Sequence, residues 1–283
     1  MSGFSADWLA RREPFDRAAR NPQVLDACRA AFAGRNGMTI CDIGAGTGAS
    51  LRALADLLPP RQHWTLVDDD PALLVAAGRA LAAWADRAEG AGERLGLERA
   101  GKTIDVRFRR HDLAAGSVPW LAPWAAGTDL VTASAFFDLV SADWIGRLVA
   151  ALADDGVALL ATLSFDGTLR TEPPHPLDRA VAAAFRHHQG GDKGFGPAAG
   201  PDGWEVLERA LERRGYALTS GQSPWRVDRS SPAFRDALLD GIATAAGETG
   251  LLFPGDGARW RIETGRGAAL IEIGHRDLFA APK

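Results

Sequence analysis

The sequence predicts an α/β protein in which strands and helices alternate, the pattern of a parallel sheet covered on both faces. Three observations carry this. Apolar runs of strand length recur at 39–43, 63–67, 104–108, 129–133 and 156–163. Several are followed by segments with apolar residues at helical spacing. The first run ends in a turn of alternating glycines, "ICDIGAGTGAS" from Ile40 to Ser50, with a helical pattern directly behind it.

The elements follow in order. Thr39 to Ile43 is a short buried strand. Ser50 to Leu58 has apolar positions 51, 54, 57 and 58, and Pro59-Pro60 stops the helix. His63 to Val67 is the next strand. Asp70-Pro71 opens a long helix as N-cap and first position, with a stripe through Leu74, Ala77, Leu81, Trp84 and Ala88. Ile104 to Phe108 alternates as a strand, and Asp129 to Ala133 forms another. Ala142 to Leu152 is helical, and an Asp-Asp-Gly turn leads into the strand Gly156 to Leu163. The character then changes. Prolines at 173, 174 and 176 precede the helix Leu177 to Gln189, and the loop "GGDKGFGPAAG" follows. Trp204 to Arg214 is helical, Tyr216 to Thr219 a strand, Phe234 to Ala246 an amphipathic helix, and Ala268 to Ile273 the last strand.

The 283 residues suffice for one large domain or two small ones, and the 46% hydrophobic content argues against disorder. The net charge of −4 gives none of the basic surplus expected of a nucleic-acid binder. Cys28 and Cys41 lie in apolar patterns and read as reduced core residues. The first residues lack the apolar core of a signal peptide, and no uncharged apolar run is long enough to span a bilayer. The expected location is the cytoplasm. A homodimer is one assembly open to the chain.

The glycine turn is built to receive the polar end of a nucleotide-like ligand at a helix N-terminus. Gly44, Gly46 and Ala49 satisfy the dinucleotide spacing G-x-G-x-x-G/A. Asp42 modifies that reading. A carboxylate two residues before the first glycine would repel a pyrophosphate, whereas it suits an ammonium or a sulfonium. Asp68 closes the second strand, 24 residues after Gly44, where a carboxylate accepts ribose hydroxyls.

This combination resembles the class I S-adenosylmethionine-dependent methyltransferases. "DIGAGTG" from Asp42 to Gly48 matches their first motif, an acid, one residue, then alternating glycines, and Asp68 matches the acid that closes their second strand. The resemblance implies a doubly wound sheet of seven strands with the last antiparallel, and S-adenosyl-L-methionine as cofactor, with S-adenosyl-L-homocysteine as product. It places Asp42, Gly44, Ala45, Gly46, Gly48 and Asp68 at the cofactor, with Asp69 either beside them or solvated. "RRHDLAAG" offers Asp112 and Leu113 to the adenine. The stretch "TDLVTASAFFDLVS" lines the methyl end and includes Ser134. "RREPFD" would belong to a helical lid, with Arg12, Phe15 and Asp16 as contacts; a solvated helix is the plainer account. The expected organisation is one domain, 1–283: a helical cap over 1–36, a cofactor core over 37–163, and acceptor-side elements at 164–200 and 223–265.

The acceptor side draws on residues outside the motifs. Phe136 and Phe137 either wall an apolar acceptor or pack the core. Asp138 either orients a hydroxyl or amine or caps the next helix. On the helix Leu177 to Gln189, His188 continues the stripe of Leu177, Val181 and Phe185, and His187 lies beside the alanines. His188 is a candidate base or a hydrogen-bonded core histidine. The loop with Lys193 either holds an anion through its amides or simply connects. No Pro-Pro-aromatic tetrapeptide, Pro-Cys pair or metal-ligand cluster is visible, which disfavours nucleic-acid substrates and a divalent metal. A small-molecule oxygen or nitrogen acceptor is the expectation. The rivals are a nicotinamide-dependent oxidoreductase, an S-adenosylmethionine protein that performs another reaction on the same fold, and a binding-only protein on that scaffold.

Overall fold

The computed structural model describes residues 4–115 and 126–283. Two N-terminal helices, α1 (Ala6–Ala19) and α2 (Pro22–Ala31), precede the sheet. Ser5 caps α1, with its hydroxyl accepting from the Trp8 amide, and Asn21 caps α2. The strand–helix alternation then begins with β1 (Gly37–Ile43), α3 (Ala49–Leu54, extended by a 3-10 turn), β2 (Arg61–Asp68) and α4 (Pro71–Trp84). Asp70 and Pro71 start α4 as the sequence predicts, and the Asp70 carboxylate accepts from Ala72 N at 2.7 Å.

The helical stripe does not reach Ala88. The α4 helix ends at Trp84, and Ala88 lies in β3 (Arg87–Glu89), which forms a hairpin with β4 (Arg94–Arg99). The glycines that weaken the helical pattern supply the turn of that hairpin: Gly90 and Gly92 have positive φ. Next come β5 (Lys102–Arg110), β6 (Leu130–Ser134), α5 (Ala142–Asp155) and β7 (Ala158–Glu172). The C-terminal part contains α6 (Asp178–Gln189), α7 (Gly203–Arg213), β8 (Ala217–Gln222), β9 (Trp225–Val227), α8 (Pro232–Glu248), α9 (Asp256–Gly267) and β10 (Leu270–Ala281).

Among the described residues, ten strands form one sheet in the order β3-β4-β5-β2-β1-β6-β7-β10-β8, with β9 also paired to β10. The inner run β5-β2-β1-β6-β7 is parallel, and β10 inserts antiparallel between β7 and β8. The seven expected strands are therefore present, with an antiparallel last strand, and the β3–β4 hairpin and β9 extend them. Helices α2, α3 and α4 cover one face through Cys28, Leu51, Leu54, Leu74 and Leu81. Helices α5 and α7 cover the other through Trp144, Leu148, Leu207 and Leu211. A third core lies where β7 and β10 run on past the rest of the sheet. There α6, α8 and α9 pack Val181, Leu239, Ile242 and Trp260 around Phe165 and Ile271.

No helix among the described residues is long and apolar enough to cross a membrane. Both cysteines are buried and free, and burial pushes the Cys28 thiol up to about 12.

Candidate functional site

The glycine turn leaves β1 at the carboxyl ends of the parallel strands, where ligands of open α/β sheets bind. Gly44 and Gly46 have φ of 62° and 53°, a region costly for side chains. A Cβ on Gly44 would stand 2.8 Å from the Phe136 ring, and one on Gly46 would stand 3.0 Å from Leu9 Cδ1. The turn is thus bare on purpose on two sides, with Phe136 against one glycine and α1 lying over the other. Arg52 fastens α1 there. Its Nε and NH2 bind Glu13 at 2.8 and 2.6 Å, and its NH1 donates to Thr47 O at 2.7 Å.

Asp42 is fully buried. Its Oδ1 accepts from Thr132 Oγ1 at 2.7 Å, and its Oδ2 has no hydrogen-bond partner. Burial pushes its carboxyl up to about 7, against the pull of Thr132, Ser50 and Arg20. Arg20, at the C-cap of α1, is also buried, with an unpartnered Nε, and Asp16, Asp277 and Asp42 surround it with negative charge. The sequence reading does not find Arg20. It sits at the junction of two helices, just before the Asn21-Pro22 start signal, and its acidic neighbours come from three separate elements.

Asp68 holds the turn from the side. Its Oδ2 accepts from Gly46 N at 2.8 Å and its Oδ1 from Asp70 N at 3.0 Å, which leaves a second lone pair on each oxygen. Burial raises its carboxyl, and the two amides pull it back. Asp69 turns outward, with its Oδ1 3.5 Å from Arg110 Nε. Asp112 lies beside Asp68, because His111 N donates to Asp68 O at 3.0 Å. The Asp112 carboxylate accepts from Ala114 N at 2.8 Å, and Leu113 is buried with its carbonyl accepting from Trp144 Nε1. Ala45 is buried in the turn, Gly48 caps α3, and Ser134 is half-buried at the end of β6.

The other expected residues divide. Phe136 meets Phe137, Trp144 and Phe195 edge to face, whereas Phe137 is fully enclosed in the α5–α7 core. Asp138 is 5% exposed, its Oδ1 lacks a partner, and burial pushes its carboxyl up to about 6. Arg12 is buried, donates to Asp16 at 2.9 Å and lies 4.9 Å over the Trp225 ring. Phe15 stacks on Phe234 at 4.2 Å, so it ties α1 to α8. His187 is exposed. His188 faces Glu248, Nε2 to Oε2 at 3.1 Å, with its Nδ1 buried and unpartnered. Lys193 Nζ donates to His188 O at 3.2 Å, and the loop carrying it docks on the Asp138 turn through Ala199 N to Val140 O and Gly200 N to Asp138 O.

A groove of about 520 Å³ lies elsewhere, over the polar sheet face of Thr39, His63, Thr65, Asp105 and Arg107. None of its lining residues carries a buried polar atom without a partner, so the turn is the stronger candidate. Among the described residues, no three His, Cys, Asp or Glu side chains gather in a way that would hold a metal ion.

The same topology recurs in solved structures. A cyclopropane synthase from Mycobacterium tuberculosis superposes with a TM-score of 0.50 at 13% identity, over 98% of this chain and 94% of that one. A cyclopropane-fatty-acyl-phospholipid synthase-like protein from Lactobacillus casei gives 0.50 at 19% identity, over 97% and 94%. A protein of Bacillus halodurans provisionally named a methyltransferase gives 0.50 at 13%, over 92% and 100%. The chain shares its fold with these proteins. At these identities the likeness is one of fold, and no protein-family model and no curated protein matches the chain. Within that fold, the glycine turn, Asp68 and the segment after β5 occupy the carboxyl edge of the sheet.

Proposed function

We propose that the protein is an S-adenosylmethionine-dependent methyltransferase acting on a small molecule through an oxygen or nitrogen atom. The observation that carries this reading is the pair of opposite, buried, unpartnered groups beside the glycine turn, Asp42 Oδ2 and Arg20 Nε. Such groups are costly unless something completes them. An α-amino-acid end, with one ammonium and one carboxylate, complements both. Gly44 and Gly46 let the turn curl tightly against Phe136 and Leu9, and Asp68 keeps a lone pair on each oxygen for ribose hydroxyls. An anionic pyrophosphate fits poorly beside Asp42, which disfavours a nicotinamide cofactor.

When bound, the cofactor supplies an electrophilic methyl group on a sulfonium. The chain's own part is to orient and enclose. Asp42 and Arg20 hold the amino-acid end, Asp68 holds the ribose, and Asp112 with Leu113 borders the base. Helix α1, held down by Arg52 and Glu13, excludes water from the turn. The whole chain acts as one unit, 1–283, with 1–36 as the cap, 37–163 as the cofactor core, and 164–200 and 223–265 as acceptor-side elements.

Calorimetric titration with S-adenosylhomocysteine and, separately, NADH tests the reading. Saturable binding of the first and none of the second is expected. Binding of NADH alone overturns it.

A further inference from the structure

The groove over the polar sheet face sets like charges opposite each other. Arg94 of β4 and Arg107 of β5 are direct partners in the antiparallel ladder, and both line the groove. Direct partners share a face with Cβ atoms roughly 4.5–5.5 Å apart, and like charges so placed destabilise a sheet. Both arginines are exposed. No hydrogen bond or ion pair joins either side chain to a described residue, and the stretch 116–125 contains no acid. The acids nearby have other partners. Glu93, one residue before Arg94, bonds Arg109 at 2.8 Å. Asp105 lies 3.1 Å from His63 Nδ1, and Glu89 pairs with Arg87. Two guanidinium groups therefore line one groove with no carboxylate bonded to either.

A lone exposed arginine needs no partner, because water serves it. An opposed pair differs, since water and salt only screen the repulsion, and a neutral residue in either strand would remove it. What relieves both charges at once is an anion. A carboxylate has two oxygens, which one guanidinium fork already satisfies. A phosphoryl group has three oxygens and a charge of about −1.5 to −2, enough for two forks. Thr65 of β2 stands next in the same row, as the parallel partner of Arg107, and it lines the groove too. The groove's volume of about 520 Å³ falls within the roughly 300–1,000 Å³ of small-molecule sites, so it takes more than a bare ion. Thr39, His63 and Thr65 give that remaining space hydroxyls and an imidazole, which suit a hydroxylated body.

We propose that this groove is a second ligand site, which holds the phosphoryl group of a small polar molecule between Arg94 and Arg107. The site lies apart from the glycine turn and does not rest on the methyl-transfer reading.

The test titrates the full chain with glycerol 3-phosphate, inorganic phosphate and acetate by calorimetry at constant ionic strength, with and without S-adenosylhomocysteine. Saturable binding of both phosphates, and not of acetate, is expected. Arg94→Thr and Arg107→Thr should each weaken it at least about tenfold, the loss of charge-assisted hydrogen bonds. Without ligand, the melting temperature of each variant should hold or rise, because the repulsion is gone; an arginine that merely supports the sheet would lower it. No saturable binding of glycerol 3-phosphate, equal binding of acetate, undiminished binding in either variant, or a melting temperature that falls in both overturns the proposal. Displacement of the phosphates by S-adenosylhomocysteine would place them at the glycine turn and overturn it as well. Absence of S-adenosylhomocysteine binding sinks the methyl-transfer reading and leaves this site standing.

Discussion

Thr132 donates its hydroxyl hydrogen to Asp42 Oδ1 at 2.7 Å, while Oδ2 of the same carboxylate has no hydrogen-bond partner. A strand neighbour thus orients the acid without satisfying it. Burial raises the Asp42 carboxyl from its ordinary value to about 7. A carboxyl raised on folding contributes stability below its unfolded value and loses it as pH climbs through the folded value, here from about 4 to about 7. Relative to the unaltered protein, Asp42→Asn should therefore gain stability between pH 5 and pH 8, by up to about 3 kcal/mol. Chemical denaturation at the two pH values measures this. Asn keeps the acceptor for Thr132 but carries no charge, so S-adenosylhomocysteine affinity should fall in the same variant.

Asp68 does two things at once. It binds Gly46 N and Asp70 N, and it offers its remaining lone pairs to the ligand. Asp68→Ala should cost about 2–4 kcal/mol of S-adenosylhomocysteine binding, since a charge-assisted bond contributes roughly 1.5–3 kcal/mol. Asp68→Asn should recover part of the loss, because one oxygen remains. Equal affinity in all three proteins, by calorimetry, would remove Asp68 from the site.

Gly46 is constrained by its φ of 53° and by Leu9. Gly46→Ala should lower stability by about 1 kcal/mol from the backbone alone and displace α1 further. Adding Leu9→Ala relieves the contact but not the backbone cost. A double variant that regains ligand affinity while keeping a lowered melting temperature would separate the two effects.

Glu13 and Arg52 hold α1 to the turn. Burial alone would raise the Glu13 carboxyl, but the Arg52 hydrogen bonds and charge outweigh it and hold the carboxyl below its ordinary value. The clamp's contribution is present above the ordinary glutamate range and is lost as pH falls through the lowered value. Glu13→Gln should speed S-adenosylhomocysteine release in stopped flow more than it changes the melting temperature. Dissociation that stays as slow as in the unaltered protein would mean α1 does not gate the turn.

Local chemistry made the glycine turn, Asp68 and the Asp70-Pro71 cap legible, because each is set by residues a few positions apart. The β3–β4 hairpin was hidden because Trp84 and Ala88 continue a helical period past the true helix end. Helix α9 was missed because it buries only Trp260 and Thr264, too few positions to make a stripe. Strand β7 runs beyond Leu163, where the residue's φ of 56° and the polar Ser164 break the apolar run that marked the strand. Arg20 and His275 could not be read at all. Their burial is created by β1, β10 and the N-terminal helices meeting in space, and no spacing along the chain encodes that.

His188 is the candidate base whose surroundings the sequence could not supply. Glu248 Oε2 lies 3.1 Å from its Nε2, which favours a hydrogen on that nitrogen and leaves Nδ1 as the acceptor. Nδ1 is buried without a partner, and the His188 carbonyl anchors Lys193, whose charge reaches Asp138. If Nδ1 serves the acceptor, His188→Ala should cut the methyl-transfer rate while S-adenosylhomocysteine affinity stays within about twofold, a difference under roughly 0.5 kcal/mol. Glu248→Gln should then lower the rate less, because the histidine loses the partner that fixes its tautomer. A full rate in His188→Ala would mean that the reaction does not use this histidine as a base. Parallel loss of rate and cofactor affinity would show that the histidine shapes the 190–200 loop rather than touching the acceptor.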